Sequence, residues 1–350
     1  MPISLPLTPE DLTPEWLTLA FQEGGVLTGL PVVHEVATER IGEDRGMVGI
    51  TVRLRLTGDN VPATVVAKLS MAAREVRERM RAIGVYEREV RFYTELRPCV
   101  DSPTPAAYFA AYNPAENASV ILLEDLAGCR FPDDGAATVD EVARMFAAIV
   151  PAHAAFWGRS DLPRWLTFAD AGNELSAARI DGRTALYEER MGGIEPWMGR
   201  VIDLLPQALR SGKLEAGEPA TLIHGDFSVK NVALTGSSLW IFDWQLAGCR
   251  PAIRDVQTAI VRSLPGEDAV RALDELLGHY RKLMRSYGIE LRPDSTRRGF
   301  FQSLVAGLSN AGGIVVAPPN PSPVQLATSR HIWNQAECFL PLFDPFELLA

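Results

Sequence analysis

From Gly49 the chain alternates without a break. Ile50, Val52, Leu54 and Leu56 are apolar, and Thr51, Arg53, Arg55 and Thr57 between them are polar. Successive side chains of a strand point to opposite faces, so this run has one dry face and one wet face. Such a pattern belongs to an antiparallel sheet, because parallel strands are covered on both sides and read as continuous apolar runs. Gly58-Asp59-Asn60 marks a turn, and Ala63 to Leu69 forms the returning strand. Val32 to Ile41 is β-prone as well. A long helical stretch is expected from about Ala72 to Leu96, followed by the apolar strand Ser119 to Leu126. Ahead of the sheet, Thr8-Pro9-Glu10 supplies a cap and a first-turn proline, with Trp16, Leu17 and Ala20 as the apolar stripe of a short helix.

After Leu126 the pattern changes. Residues from about Val139 to Gln207 read as helices with proline and glycine breaks, Ala220 to Gln245 is β-like, and the rest is helical apart from the proline-rich Ala317 to Val324. The expected architecture is α+β and two-lobed. A β-rich N-lobe would occupy 1–125 and a larger, mostly helical C-lobe 129–350, with a connector at about 124–128. Of the 350 residues, 44 are acidic and 34 basic, a formal charge of −10. That balance disfavours nucleic acid and anionic membrane as partners. Cys99, Cys129, Cys249 and Cys338 are far apart, with no C-x-x-C pair, which fits thiols kept reduced. The N-terminus lacks a secretory pattern, and no uninterrupted apolar run approaches the ~20 residues of a membrane span. A cytoplasmic, soluble protein is expected.

The densest chemistry lies in LIHGDFSVKNVALTGSSLWIFDWQ, Leu222 to Gln245. His224 and Asp226 stand in a loop, with Asn231 five positions after the aspartate. Asn231 to Leu234 and Leu239 to Phe242 can pair as a hairpin about Thr235 to Ser238, which would bring Asn231 beside Asp243. An amide and a carboxylate offering hard oxygens suit Mg²⁺, which retains substrate phosphates in its shell. Asp226 in the same loop could orient or deprotonate a hydroxyl nucleophile. Taken singly, these residues are equally good turn residues and strand caps. The triplet on one hairpin, after His224-Gly225, is what carries the functional reading.

A second pair lies earlier. Lys68 sits in the strand VVAKLS among apolar neighbours, and Glu89 shares a helix face with Val85, Phe92 and Leu96. A carboxylate on an apolar stripe needs a partner, and Lys68 is the candidate. A surface lysine and an acid at the edge of a solvated face is the plain alternative.

Together the two groups resemble the kinase-like phosphotransferases of the aminoglycoside phosphotransferase and choline kinase superfamily. HGDFSVKN matches its H-G-D-x-x-x-x-N, and IFDWQ matches its Mg²⁺-binding aspartate segment. YEREVRFYTELRP (Tyr86 to Pro98) and LLEDL (Leu122 to Leu126) look most like its ecdysteroid-kinase-like and choline-kinase-like branch. The resemblance implies a bilobal protein-kinase-like fold and an ATP- and Mg²⁺-dependent transfer to a small-molecule hydroxyl. It implies Lys68 on the α- and β-phosphates with Glu89 holding that lysine, and backbone of Glu124 to Leu126 at the adenine edge. It further implies Asp226 as base or orienting group, Asn231 and Asp243 as Mg²⁺ ligands, His224 as an orienting residue, and Asp255 as the anchor of the catalytic loop. A simple helix cap would explain Asp255 too.

Two departures stand out. The nucleotide-covering loop would be IGEDRGMVGI, with Gly42, Gly46 and Gly49, yet it is not G-x-G-x-x-G and it carries Glu43-Asp44. Lys230 reads as solvated. Only twelve positions separate Asp243 from Asp255 and no A-P-E segment follows, so an activation loop for protein substrates has no room. Trp157, Trp165, Trp197 and Trp333 are expected mainly in the core, with an apolar or cation-binding pocket as the alternative, and the acids Asp161, Asp170, Glu174 and Glu188 fit a cationic acceptor and a solvated helical face equally well. The rival from another class is a nucleotide-binding pseudokinase with a regulatory or scaffolding role. A metal-dependent hydrolase built on His224, Asp226 and Asp243 is weaker, with only five histidines in the chain.

Overall fold

Alternation, capping and glycine placement decide which segments form elements. The computed structural model describes residues 4–42, 49–167, 171–215 and 217–349. They divide into two compact units, one of 1–130 with 233–247 and the other of 131–232 with 248–350.

The first unit opens with helix α1 (Pro14–Gly24), capped by Thr13, whose side chain accepts from the Trp16 amide. Strands β1 (Val32–Arg40), β2 (Gly49–Asp59) and β3 (Thr64–Ser70) follow. In β2, Val52, Leu54 and Leu56 are buried while Arg55 and Thr57 are exposed, as the alternation requires. The single helix expected from Ala72 to Leu96 is instead broken into α2 (Arg74–Arg81), α3 (Val85–Arg91) and a π-helical turn, Phe92–Leu96. The break falls at Gly84, whose φ of 71° is left-handed and ends a right-handed helix. Strands β4 (Ala107–Asn113) and β5 (Ala118–Glu124) complete a sheet ordered β1-β2-β3-β5-β4, antiparallel at every pair. Its dry face packs Val52, Leu54, Val65, Ala67 and Leu122 against Leu17, Ala20 and Phe21 of α1. Helix and sheet touch so closely that a Cβ on Gly24 would lie 1.8 Å from the Tyr108 carbonyl oxygen.

The second unit contributes α4 (Val139–Ala155), α5 (Ala171–Ile180), α6 (Thr184–Met191), α7 (Pro196–Arg210) and the short strand β6 (Ala220–Ile223). The chain then forms the two-stranded hairpin β7 (Val232–Thr235) and β8 (Ser238–Ile241). Residues 233–247 group with the first unit, where the Ile241 amide donates to the Pro103 carbonyl at 2.8 Å and Arg130 bridges Leu234. The turn is tighter than expected, Gly236-Ser237 alone, with Gly236 at φ 44°. Strand β9 (Gly248–Pro251) returns to pair antiparallel with β6. Helices α8 (Ile253–Ser263), α9 (Gly266–Ser286), α10 (Pro293–Val316), α11 (Pro323–Cys338) and α12 (Pro345–Leu349) complete the unit. Helix α10 is long and apolar enough to cross a bilayer, but 83% of its apolar window is buried inside the protein, as in a core helix. Trp333 of α11 is buried in the core and meets the half-buried Trp197 edge-on at 5.4 Å.

Just before β6, Glu218 turns both carboxyl oxygens into the protein, and neither has a hydrogen-bond partner among the described residues. Burial alone pushes its carboxyl from 4.5 up to about 7. Between those two values the unfolded chain gives up a proton that the folded chain keeps, so stability falls as pH rises through that window and stays lower above it. Glu218→Gln is therefore expected to be more stable than the parent at pH 8 by about 1–3 kcal/mol, and equal to it at pH 4. Thermal denaturation at the two pH values checks this.

Candidate active site

The expected site residues fall into two groups, one in each unit. In the sheet unit, Lys68 lies on β3, and the register places it opposite Thr51 and Ile121. Its ammonium meets Glu89 Oε2 at 2.7 Å and Asp243 Oδ1 at 2.5 Å. Glu89 is nearly buried and Lys68 only 19% exposed. Burial opposes the lysine's charge, but the two carboxylates outweigh it and hold the ammonium above its ordinary value. Glu89 moves upward, because burial and the nearby Asp243 together exceed the pull of a lysine it must share.

The scaffold of this trio is aromatic. Asp243 adopts a left-handed φ of 65° and leads into a 3-10 turn, Trp244–Leu246. Trp244 stacks face to face on Phe92 with centroids 3.8 Å apart. Arg88, next to Glu89 on α3, donates to the Ala247 carbonyl at 2.9 Å. Helix and turn are thus fastened together, and the carboxylates they carry reach one lysine. The pairing of Lys68 with Glu89 follows from the sequence argument; the addition of Asp243 does not, because 175 residues separate the two.

At the end of β5, Glu124 exchanges backbone and side-chain bonds with Ala106, at 2.8 and 3.1 Å. Asp125, inside the expected connector, is held by Arg53 through two bonds of 2.8 and 3.2 Å. Leu126 is buried. Gly46, together with Glu43 and Asp44, lies outside the described residues, as does Asp170.

In the helical unit, the loop after β6 carries His224, Asp226 and Asn231. Asn231 closes a 3-10 turn, Val229–Asn231, rather than opening the strand as expected. Its Nδ2 donates to the Asp226 carbonyl at 2.8 Å and to Asp226 Oδ2 at 3.1 Å. With Nδ2 engaged in this way, Oδ1 is the atom of Asn231 that could serve as a hard oxygen ligand of the kind Mg²⁺ takes. Burial pushes the Asp226 carboxyl up, but Arg262, His224 and the Asn231 amide pull it below its ordinary value. Asp226 is therefore ionised at neutral pH.

The loop is anchored by Asp255 on α8. Its Oδ2 accepts from the His224 amide at 2.7 Å and its Oδ1 from the Gly225 amide at 3.0 Å. His153 of α4 adds a contact at 3.2 Å and is itself held by Tyr280 at 3.0 Å. Asp255 thus ties down the loop and is more than a cap for its own helix. His224 is buried and takes the Asp226 amide on Nδ1 at 3.3 Å, a backbone-shaping part. No motif in the sequence marks His153, Asp134 or Arg262 as part of this group. Only the two-turn spacing from Asp255 to Arg262 could have signalled the last.

A family model described as the phosphotransferase enzyme family matches residues 53–289, about two-thirds of the chain. The chain belongs to that family. It is a phosphotransferase with a kinase-like fold. No curated protein sequence matches it. Among solved structures it is similar to a Ralstonia eutropha JMP134 protein described as an aminoglycoside phosphotransferase, at 17% identity, covering 95% of this chain and 97% of that one with a TM-score of 0.57. Choline kinase from Cryptosporidium parvum Iowa II follows at 9% identity, 88% and 90% coverage and a TM-score of 0.56. The APH(2″)-IIa complex with streptomycin and ATP shares 12% identity, 96% and 99% coverage and a TM-score of 0.52. The ecdysteroid-kinase-like branch finds no particular support among these.

Removing the Asp255 carboxylate would leave two loop amides and His153 without their buried acceptor. Asp255→Ala is expected to lower unfolding free energy by about 2–4 kcal/mol. Urea denaturation followed by circular dichroism measures it.

Proposed function

We propose that this kinase transfers the γ-phosphoryl group of ATP, with Mg²⁺, to a hydroxyl of a small molecule in the cytoplasm. The observation that carries the reading is the bonding of Asp226. Its carboxylate is ionised, shares a loop with an asparagine that presents an oxygen, and follows the His224-Gly225 turn pinned by Asp255. An ionised carboxylate fixed in this way can accept a hydrogen bond from an acceptor hydroxyl and align its oxygen for in-line attack. The bond from the γ-phosphorus to the ADP oxygen breaks as the bond to the acceptor oxygen forms. The hydroxyl proton passes to Asp226 or to solvent.

In this reading Lys68 binds the α- and β-phosphates and Glu89 keeps that lysine in place. The backbone of Glu124 to Leu126 meets the adenine edge. Asn231 and Asp243 would hold Mg²⁺, which supplies positive charge to the phosphates. So little covalent chemistry is needed that positioning and charge suffice. The acceptor class spans antibiotics, amino-alcohols, sugars and steroid-like alcohols. Similarity to an ATP- and streptomycin-bound phosphotransferase and to a choline kinase supports a small hydroxylated acceptor.

Purified protein with Mg-ATP and a pooled library of hydroxylated metabolites and antibiotics should yield, by mass spectrometry, a compound heavier by one phosphoryl group. Asp226→Ala should lower turnover by about 10²–10⁴-fold while leaving Mg-ATP affinity within a few-fold of the parent. Near-normal turnover in that variant would remove Asp226 from its role. Mg-ATP binding with no product from any acceptor would favour a pseudokinase.

A further inference from the structure

The group that holds Asp226 comes from a helix outside the sequence motif. Arg262 follows Asp255 by seven residues on α8, two helical turns, so both side chains leave the same face about 10 Å apart along the axis. At one end of that face, Asp255 takes the His224 and Gly225 amides. At the other, Arg262 Nη1 donates to Asp226 Oδ1. The next residue, Ser263, accepts the Val229 amide on its Oγ at 2.9 Å.

Arg262 has a second carboxylate. Its Nη2 and Nε donate to Asp134 Oδ2 at 2.7 and 3.3 Å, and the two side chains are only 18% and 15% exposed. The loop carrying Asp134 is itself fastened to the end of α8. The Gly135 amide donates to the Arg262 carbonyl at 2.7 Å and the Ala137 amide to the Ser263 carbonyl at 2.9 Å. A planar guanidinium forked between two carboxylates cannot turn toward one without loosening the other. Asp226 Oδ2, meanwhile, receives the Asn231 amide at 3.1 Å. Each oxygen of Asp226 therefore has a donor of fixed direction.

Resting on the transfer reaction above, we propose that Arg262 is a positioning residue that sets the orientation of the Asp226 carboxylate toward the acceptor hydroxyl, with Asp134 acting only through Arg262. A displacement of about 1 Å in such a group costs about 10²-fold in rate. A lysine at 262 keeps the charge but lacks the fork, so it cannot hold both carboxylates in one plane.

The experiment uses the full chain, Mg-ATP and the acceptor phosphorylated in the pooled reaction. It compares the parent with Arg262→Ala, Arg262→Lys, Asp134→Asn and the double variant Arg262→Ala/Asp134→Asn. Arg262→Ala is expected to lower kcat about 10–100-fold with KM for Mg-ATP and its titrated affinity unchanged. Millimolar guanidinium ion should restore part of that kcat, and Arg262→Lys should remain impaired. The double variant should be no slower than Arg262→Ala alone, because residues that act as a unit are not additive. A parental kcat in Arg262→Lys, an equal loss in Mg-ATP binding, or an additive double variant would overturn the inference. If Arg262→Ala does not fold, Arg262→Lys decides. Absence of transfer by the parent protein would bring down the reaction and this inference with it, whereas parental transfer undiminished in the Arg262 variants brings down this inference alone.

Discussion

Two backbone amides on one buried carboxylate hold the helical unit's chemistry in place. The turn at His224-Gly225 points both N–H groups at Asp255, the His224 amide in a buried position that water cannot satisfy, and Gly225 has a φ of 85° that keeps it out of regular structure. An orphaned buried amide costs about 1–3 kcal/mol, so the turn exists because Asp255 exists. Asp255 in turn sits on the first turn of α8 and meets His153, which Tyr280 of α9 holds from its other nitrogen. Helices α4, α8 and α9 thus converge on a single carboxylate. The direction in which Asp226 leaves the loop is inherited from that convergence.

The two units solve the same electrostatic problem in the same way. In each, one cation is shared by two carboxylates: Lys68 by Glu89 and Asp243, Arg262 by Asp134 and Asp226. A buried acid without a partner would take up a proton, as the upward shift of lone Glu218 illustrates. Sharing one cation between two acids leaves a surplus of negative charge in each group; Asp226 is nonetheless held below its ordinary value, whereas the more deeply buried Glu89 still moves upward. The choice of cation differs with the task. Lysine is a compact charge on a flexible stem, suited to a contact that can be exchanged, whereas arginine is a rigid fork suited to holding two fixed groups.

What could be read from the chain is what depends on neighbours within a turn or a hairpin. Alternation from Ile50 to Thr57 gives the sheet and its buried face, and the apolar stripe through Val85, Glu89 and Phe92 demands a cation that the strand VVAKLS supplies. The break at Gly84 was hidden because the polar, helix-favouring residues on both sides of it continue the same pattern, and one glycine's φ decides the matter. Asn231 in a 3-10 turn instead of a strand is a difference of one residue at an element boundary, where pattern is weakest. Asp243 on Lys68, and Asp134 and His153 about their partners, are out of reach for another reason. Their contacts join residues more than 100 positions apart, and no local periodicity encodes which acid a given cation will share.

Arg262 stands between these cases. Its contact to Asp226 spans 36 residues, yet its place is fixed by Asp255 through helix geometry alone. Once an aspartate at the start of a helix is known to hold the first residues of the loop that carries Asp226, the helix axis measures out the next part of that loop. A side chain two turns on projects from the same face about 10 Å away. There Arg262 reaches the carboxylate of Asp226, one residue past Gly225, and Ser263 reaches the Val229 amide, three residues further on. The helix therefore acts as a ruler whose two marks are Asp255 and Arg262. A chain with an apolar side chain at the second mark would have to restrain its loop aspartate from some other element.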